Sequence, residues 1–99
     1  MSAHLLVMYP MPKDTMVFDR RYREEHLPYA GPRLVGATGV TSKKVIGGPQ
    51  FYAISDVTFS SMDALQKCAG SQGGKEALEH AASISTGGAP TVLVVADES

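Results

Sequence analysis

The chain has 99 residues, 43% of them hydrophobic and 19% charged, which suits one small globular core and leaves no room for a second. Nine basic residues against ten acidic ones give a formal net charge of −1, and without a cationic surplus a dedicated nucleic-acid binder is disfavoured. A lone cysteine, Cys68, allows no internal disulfide and fits a reducing compartment. No segment approaches the roughly 18 apolar residues of a membrane span, and the run from His4 to Tyr9 is too short and lacks the basic flank of a secretion signal. The sequence reads as a single domain, residues 1–99, located in the cytoplasm.

In chain order, residues 3–9 form an apolar, β-branched run closed by Pro10 and Pro12, as a buried strand would be. Asp14 or Thr15 is placed to cap a helix that carries Phe18, Tyr22, His26 and Tyr29 on one stripe and turns Arg20, Arg21, Arg23 and Glu24 to water. That helix is expected to stop or kink around Pro28, with Pro32 strengthening the boundary. A second strand is expected from about Thr38 to Ile46, with Val40, Ser42, Lys44 and Ile46 on one face. Gly47-Gly48-Pro49 signals a turn, and Phe51 to Phe59 a strand with Phe51, Ala53, Ser55, Val57 and Phe59 on its apolar side.

Ser60 with Asp63 resembles a capping box opening a helix that holds Met62, Leu65 and Cys68 or Ala69 inward. Gly70 to Gly74 is expected to interrupt it, and Lys75 to Ala82 to resume as a short helix. Gly87-Gly88-Ala89-Pro90 then leads into a last strand, Thr91 to Ala96. The order βαββαβ predicts an α+β, ferredoxin-like domain, a four-stranded antiparallel sheet with both helices on one face. The other sheet face is left bare, yet the first, third and fourth strands are apolar on both sides. Face-to-face pairing of two such sheets would cover it, so a homodimer is expected.

Tyr9-Pro10, Phe18-Asp19, Tyr22, His26 and Leu27-Pro28, followed by Gly47-Gly48, Tyr52-Ala53 and Ser60 to Leu65, resemble the signature of the EthD family. That resemblance implies a ferredoxin-like subunit that pairs into a dimeric α+β barrel. The family is named for a protein linked to fuel-ether degradation beside a cytochrome P450 system. Relatives on the same barrel include muconolactone isomerases, polyketide cyclases, small-molecule decarboxylases and haem-handling monooxygenases. The chain departs from the family in its C-terminal half, where Ala82-Ser83-Ile84-Ser85-Thr86 stands in place of an Asn-Tyr or Asn-Phe pair.

His26 is the candidate catalytic residue. Burial would lower its pKa and favour a neutral imidazole able to accept a proton; the alternative is a core histidine satisfied by backbone or by a tyrosine hydroxyl. Tyr9, Tyr22, Tyr29 and Tyr52 are candidate substrate-binding residues, each able to offer a ring as wall and a hydroxyl as donor, or else to serve as bulky core residues with a polar tip. Tyr22, one helical turn before His26, is the best placed of them.

His4 is expected to face the dimer side and His80 to be solvated beside Glu79. Asp19 and Glu25 are read as surface charges, Asp56 as a group that could orient a buried partner, and Cys68 as a small buried hydrophobe. The histidines lack ligand spacing, so no metal site is expected, and the glycine pairs match no nucleotide motif, so no cofactor is expected. Two functions stay open. One is a cofactor-independent enzyme of catabolism or secondary metabolism acting by proton transfer on a small cyclic or aromatic molecule, with oxidoreductase association implied by the resemblance alone. The other is a non-catalytic dimeric binder that delivers a hydrophobic metabolite to a partner oxygenase. A dimer whose cavity is filled by Phe51 and Phe59 would have neither role.

Overall fold

The computed structural model describes residues 1–48 and 50–98, so Pro49 of the Gly-Gly-Pro turn signal lies outside the described residues. Strand β1 (Ala3–Tyr9) alternates along its whole length, with Ala3, Leu5, Val7 and Tyr9 buried and His4, Leu6 and Met8 half-buried on the opposite face. Strand β2 (Ala37–Lys44) pairs antiparallel with β3 (Ala53–Phe59), from Ala37 opposite Phe59 to Lys44 opposite Ala53, with one slip between Ala37 and Gly39. β3 buries Ala53, Ser55, Val57 and Phe59 on the same side as β1 and pairs antiparallel with it. Strand β4 (Thr91–Ala96) borders β1 on its other edge, Val94 opposite Leu5, which completes the sheet order β2-β3-β1-β4.

Strands β2 and β3 stop short of their sequence signals at the hairpin between them. Past Lys44, single bonds from Val45 N–H to Tyr52 O (3.0 Å) and from Tyr52 N–H to Tyr9 O (2.7 Å) hold the chain without a full ladder, so Ile46 and Phe51 fall outside the strands.

Helix α1 (Thr15–Arg21) is capped by Asp14, whose carboxylate accepts the Val17 N–H at 3.1 Å. The chain then departs from expectation. It does not stop at Pro28; the irregularity expected there takes the form of a π-helical turn, Tyr22–His26, leading into α2 (Leu27–Ala30) and a 3₁₀ turn, Gly31–Arg33. Leu27 N–H bonds back to Tyr22 O, five residues away. Proline cannot donate to the carbonyl four residues before it, and its ring crowds that carbonyl. A turn widened by one residue just ahead of Pro28 accommodates both defects. The extra residue also shifts the phase, so Ala30 rather than Tyr29 follows Phe18 and His26 into the core, and Tyr29 is left half-buried.

The second helical region also differs. Helix α3 (Met62–Gly70) is capped by Ser61, whose hydroxyl accepts Ala64 N–H at 3.1 Å; Ser60 is not the cap. Helix α4 (Gln72–Ile84) starts after a single residue, Ser71, which caps it through Gly74 N–H. Gly73 and Gly74 therefore lie inside the first turn of a helix. They are glycines because of close approach: a Cβ on Gly74 would stand 2.0 Å from Cys68 O, and one on Gly73 2.5 Å from Arg33 O.

All helices lie on the β1/β3 face and bury two apolar clusters. One joins Ala3, Leu5, Val57 and Phe59 to Leu65 and Cys68; the other joins Val7, Tyr9 and Ala53 to Phe18, Ala81 and Ile84. The opposite sheet face has no cover, and Leu93 and Val95 stand 44% and 37% exposed on it. Among the described residues, no helix is long and apolar enough to cross a membrane.

Candidate active site

Between the helices and the sheet lies a cavity of about 250 Å³ lined by members of both clusters, Leu5, Val7, Val57 and Ala81 among them. Leu34 and Leu78 extend the apolar wall, and His26, Ser42 and Ser55 are its polar members. Phe59 is packed into the first cluster and Phe51 lies in the hairpin connection, and neither lines the cavity. An apolar cavity of ~150 Å³ already accepts benzene, so this one has room for a substituted ring.

His26 is held in the π-helical turn and is 6% exposed. Its Nδ1 is 2.9 Å from Nδ1 of His80 on α4, and its Nε2 is 3.5 Å from the Tyr9 hydroxyl, a long contact. Burial, with His80 adding repulsion between the charged forms, lowers the His26 pKa to about 4, so the imidazole is neutral at physiological pH. Tyr9 is fully buried with its hydroxyl on the Nε2 side of His26, and burial followed by the neighbouring Tyr22 pushes its phenol far above the ordinary range.

A second polar feature faces the same space. The Tyr22 hydroxyl lies 2.6 Å from Ser42 Oγ and 2.6 Å from Ser55 Oγ, residues that oppose each other across β2 and β3. Three hydroxyls joined by two hydrogen bonds use two of their three hydrogens. Whichever way the bonds run, one O–H is left over within this trio, and the buried Tyr9 hydroxyl is a further hydrogen-bond neighbour of Ser55.

The four tyrosines expected around the substrate thus take different places. Tyr9 lies on the Nε2 side of His26, and Tyr22 reaches the cavity wall through the two serines. Tyr29 stacks on His80 with ring centroids 4.5 Å apart and carries the Arg33 guanidinium 3.7 Å above its ring. The Tyr52 hydroxyl donates to Asp19 at 3.0 Å and accepts from Lys44 at 2.6 Å. Asp19 and Lys44 line a neighbouring pocket of about 280 Å³ together with Phe18, Tyr22 and Arg23. Asp19, read as a surface charge, is thereby the centre of an ion pair, and Lys44 holds its carboxyl below the ordinary range.

His80 is the residue whose expected solvation fails: it is half-buried between Tyr29 and His26. Its signal was its place three residues after Ala77 and four before Ile84, both buried on α4. Ser42 and Ser55 were visible as the polar members of inward-facing strand rows. His4 faces away from the cavity, on the bare sheet face, with Nδ1 2.7 Å from Asp56 and Nε2 3.0 Å from Asp97. Those carboxylates raise its pKa, Asp56 first. Cys68 is buried, and burial pushes its thiol up. Among the described residues, no group of three or more His, Cys, Asp or Glu side chains is arranged to hold a metal ion.

No family model matches the sequence, and no curated protein matches it. Solved structures do. An ethyl tert-butyl ether D (EthD) family protein of Bacillus halodurans aligns with 99% of this chain and 100% of its own, at 22% identity and a TM-score of 0.85. SnoaB, a cofactor-independent oxygenase of Streptomyces nogalater, aligns with 99% of this chain and 94% of its own, at 9% identity and a TM-score of 0.66. A dimeric ferredoxin-like protein from Jannaschia covers 97% of this chain and 98% of its own, at 18% identity and a TM-score of 0.65. The resemblance read from Tyr9 to Pro28 holds at the level of architecture: this chain has the ferredoxin-like α+β fold of the EthD-family structures.

Proposed function

We propose that the cavity is an acid–base active site in which His26 moves a proton on a small cyclic or aromatic substrate without a cofactor. The observation that carries this reading is a buried, neutral imidazole in the wall of an apolar cavity, beside a hydroxyl trio whose two serines line the same wall. In an isomerisation, His26 takes the proton from a carbon next to a carbonyl. The trio donates to the carbonyl oxygen, whose negative charge grows as the C–H bond breaks; the proton is then returned to a different carbon. An imidazole with a pKa of about 4 is a weak base at rest, but an enolate forming beside it in a low-dielectric cavity raises its affinity for the proton.

A cofactor-independent oxygenase on the same fold supports chemistry performed by side chains alone. In the same reading the protein is a cytoplasmic homodimer of single-domain chains, residues 1–99. Cys68 then stays reduced in the core, and a second copy covers Leu93 and Val95; the likeness to a dimeric ferredoxin-like protein supports the pairing.

The test is a thermal-shift screen of phenols, quinones, lactones and β-keto acids on wild type and His26→Gln, with mass spectrometry of any compound that binds. A compound that raises the wild-type midpoint binds the folded state preferentially, and the expected result is conversion by wild type that is lost in His26→Gln while binding persists. A compound held equally by both proteins and never converted would instead make this a dimeric binder that delivers a hydrophobic metabolite to a partner oxygenase.

A further inference from the structure

We propose that His80 is the proton partner of His26: it accepts the Nδ1–H of His26, fixes His26 in the Nδ1–H tautomer, and passes the proton from the buried site toward solvent. The proposal rests on the acid–base reading of the cavity and adds to it a residue from a different helix.

The geometry begins with the two rings. Their centroids are 5.2 Å apart and their planes differ by 12°, while the facing Nδ1 atoms are 2.9 Å apart. The difference between the two distances is about the sum of two centroid-to-nitrogen radii of imidazole. The line joining the nitrogens therefore runs through both centroids. With the planes nearly parallel, the rings meet edge to edge in almost one plane and are not stacked face to face. In an imidazole the N–H bond and the nitrogen lone pair both point radially in the ring plane. A hydrogen on one Nδ1 is thus aimed straight at the lone pair of the other, the alignment that hydrogen bonding and proton transfer both favour.

Two Nδ1 atoms can bond only if one carries the hydrogen and the other does not. The other nitrogen of His26 adds a weak bias across a long contact, and the short bond to His80 holds the result. Nε2 faces the Tyr9 hydroxyl at 3.5 Å, and Tyr9 is fully buried and held as the neutral phenol. The phenol has one hydrogen to give, and the arrangement in which it points at Nε2 makes Nε2 the acceptor end of His26 and places the imidazole hydrogen on Nδ1. His80 Nδ1 then accepts, and the His80 hydrogen sits on Nε2. The bonds run in one direction, from Tyr9 to His26 to His80. The long Tyr9 contact leaves the Nε2 lone pair lightly engaged.

Proton transfer along this line balances. Nε2 of His26 takes a proton from substrate as its Nδ1–H passes to Nδ1 of His80, and His80 releases its Nε2 hydrogen to water. Both imidazoles end neutral with their tautomers exchanged. Returning a proton to the product by the same path in reverse restores them, as an isomerisation requires.

The surroundings favour this use. His80 is half-buried on α4, with Tyr29 of α2 stacked on its ring and the Arg33 guanidinium beyond Tyr29. Arg33 is paired with Glu76 of α4 at 3.4 Å, and Glu79 beside His80 is exposed. Tyr9 of β1 and Tyr22 of the π-helical turn complete the titratable groups around the pair. Among the described residues, Tyr9 is the one of these that hydrogen-bonds to either imidazole.

The experiment is long-range ¹H–¹⁵N correlation NMR of histidine-labelled protein near neutral pH, with no ligand, on wild type, His80→Phe and His80→Gln; His26→Gln assigns the signals. Wild type is expected to show His26 protonated on Nδ1 and His80 on Nε2. In His80→Phe, which offers no acceptor, His26 is expected to change to the Nε2–H form or an average of the two. In His80→Gln, whose amide oxygen accepts, His26 is expected to keep Nδ1–H. Finding His26 as Nε2–H in wild type, a result that needs no variant to fold, overturns the proposal; so does an unchanged tautomer in folded His80→Phe. Once a converted compound is known, His80→Gln should keep KM and lose at least about tenfold in kcat, because it restores the tautomer but cannot pass a proton. The tautomers are read without turnover. An absence of any reaction therefore overturns the acid–base reading, and a wrong tautomer overturns the relay alone.

Discussion

The buried neutral state of His26 sets a measurable acid sensitivity. In the unfolded chain the imidazole titrates near 6.5, and in the folded protein near 4. The folded pKa is the lower one, so the unfolded state binds the proton first. Stability attributable to His26 is fully present above 6.5 and is lost as pH falls through the window down to about 4. Working the linkage between about pH 7 and about pH 4.5 gives a loss of roughly 2.5 kcal/mol from this one group. For a domain of this size that corresponds to about 10–20 °C in Tm.

His4 works in the opposite sense. Asp56 and then Asp97 raise its pKa, so its contribution is present below 6.5 and fades as pH rises through its folded value. Urea unfolding of wild type and His26→Gln at the two pH values, at one protein concentration, separates the two effects, because His4 and the other groups that do not touch His26 cancel in the difference. The expected result is a wild-type stability that falls by roughly 2.5 kcal/mol more than that of the variant. Parallel pH dependence in the two proteins would refute the burial argument, and with it the neutral imidazole on which the proposed chemistry depends.

Tyr22→Phe removes the hydroxyl shared by Ser42 and Ser55 and should cost about 1–2 kcal/mol by urea unfolding, because both serines lie at the cavity wall and Ser55 is buried; an unchanged midpoint would mean the trio is not formed. Leu93→Asp places a charge on the bare sheet face and should yield monomers in sedimentation velocity where wild type sediments as a dimer. A variant that sediments as wild type would remove that face from the interface. Gly74→Ala should destabilise by about 1–3 kcal/mol through the clash with Cys68 O, whereas Gly70→Ala, whose Cβ meets nothing within 4 Å, should be neutral or stabilising by up to about 1 kcal/mol; thermal unfolding of the pair distinguishes close approach from simple flexibility.

The sheet was legible because its signal is local. Alternation along Ala3–Tyr9 and Ala53–Phe59 states which side chains enter the core, and the order of strand and helix signals restricts the topology to few choices. Helix phase was less legible. A period of 3.6 carried past Pro28 puts Tyr29 in the core, and nothing in the residue pattern announces the extra residue of the π-helical turn. His26 was found because the slip, in whose turn it is the last residue, left it on the buried side. His80 was missed because Gly70 to Gly74 read as a breaker, which left α4 too short for its buried row, Ala77, Ala81 and Ile84, to be recognised. Glycine has two physical meanings, freedom and close approach, and the sequence does not distinguish them. Ser42 and Ser55 were on the correct faces, but their link through Tyr22 is a contact between distant segments and has no local signature.

These two departures from local rules converge on one place. The π-helical turn lets the first helical segment run on beyond Pro28 to Arg33 while His26 stays buried in its wall. Gly73 then allows the first turn of α4 to approach the Arg33 carbonyl more closely than any side chain would permit. That approach fixes the start of α4 against the end of the 3₁₀ turn, and about two helical turns later the same helix delivers His80 to His26. A chain built for stability alone has no need of either device: an alanine in place of Pro28 would permit a regular helix, and a wider helix spacing would tolerate a side chain at position 73. Where a small domain breaks helix periodicity and packing distance at once, and both breaks meet at a buried imidazole and a half-buried one, the arrangement fits the proton transfer proposed for that pair.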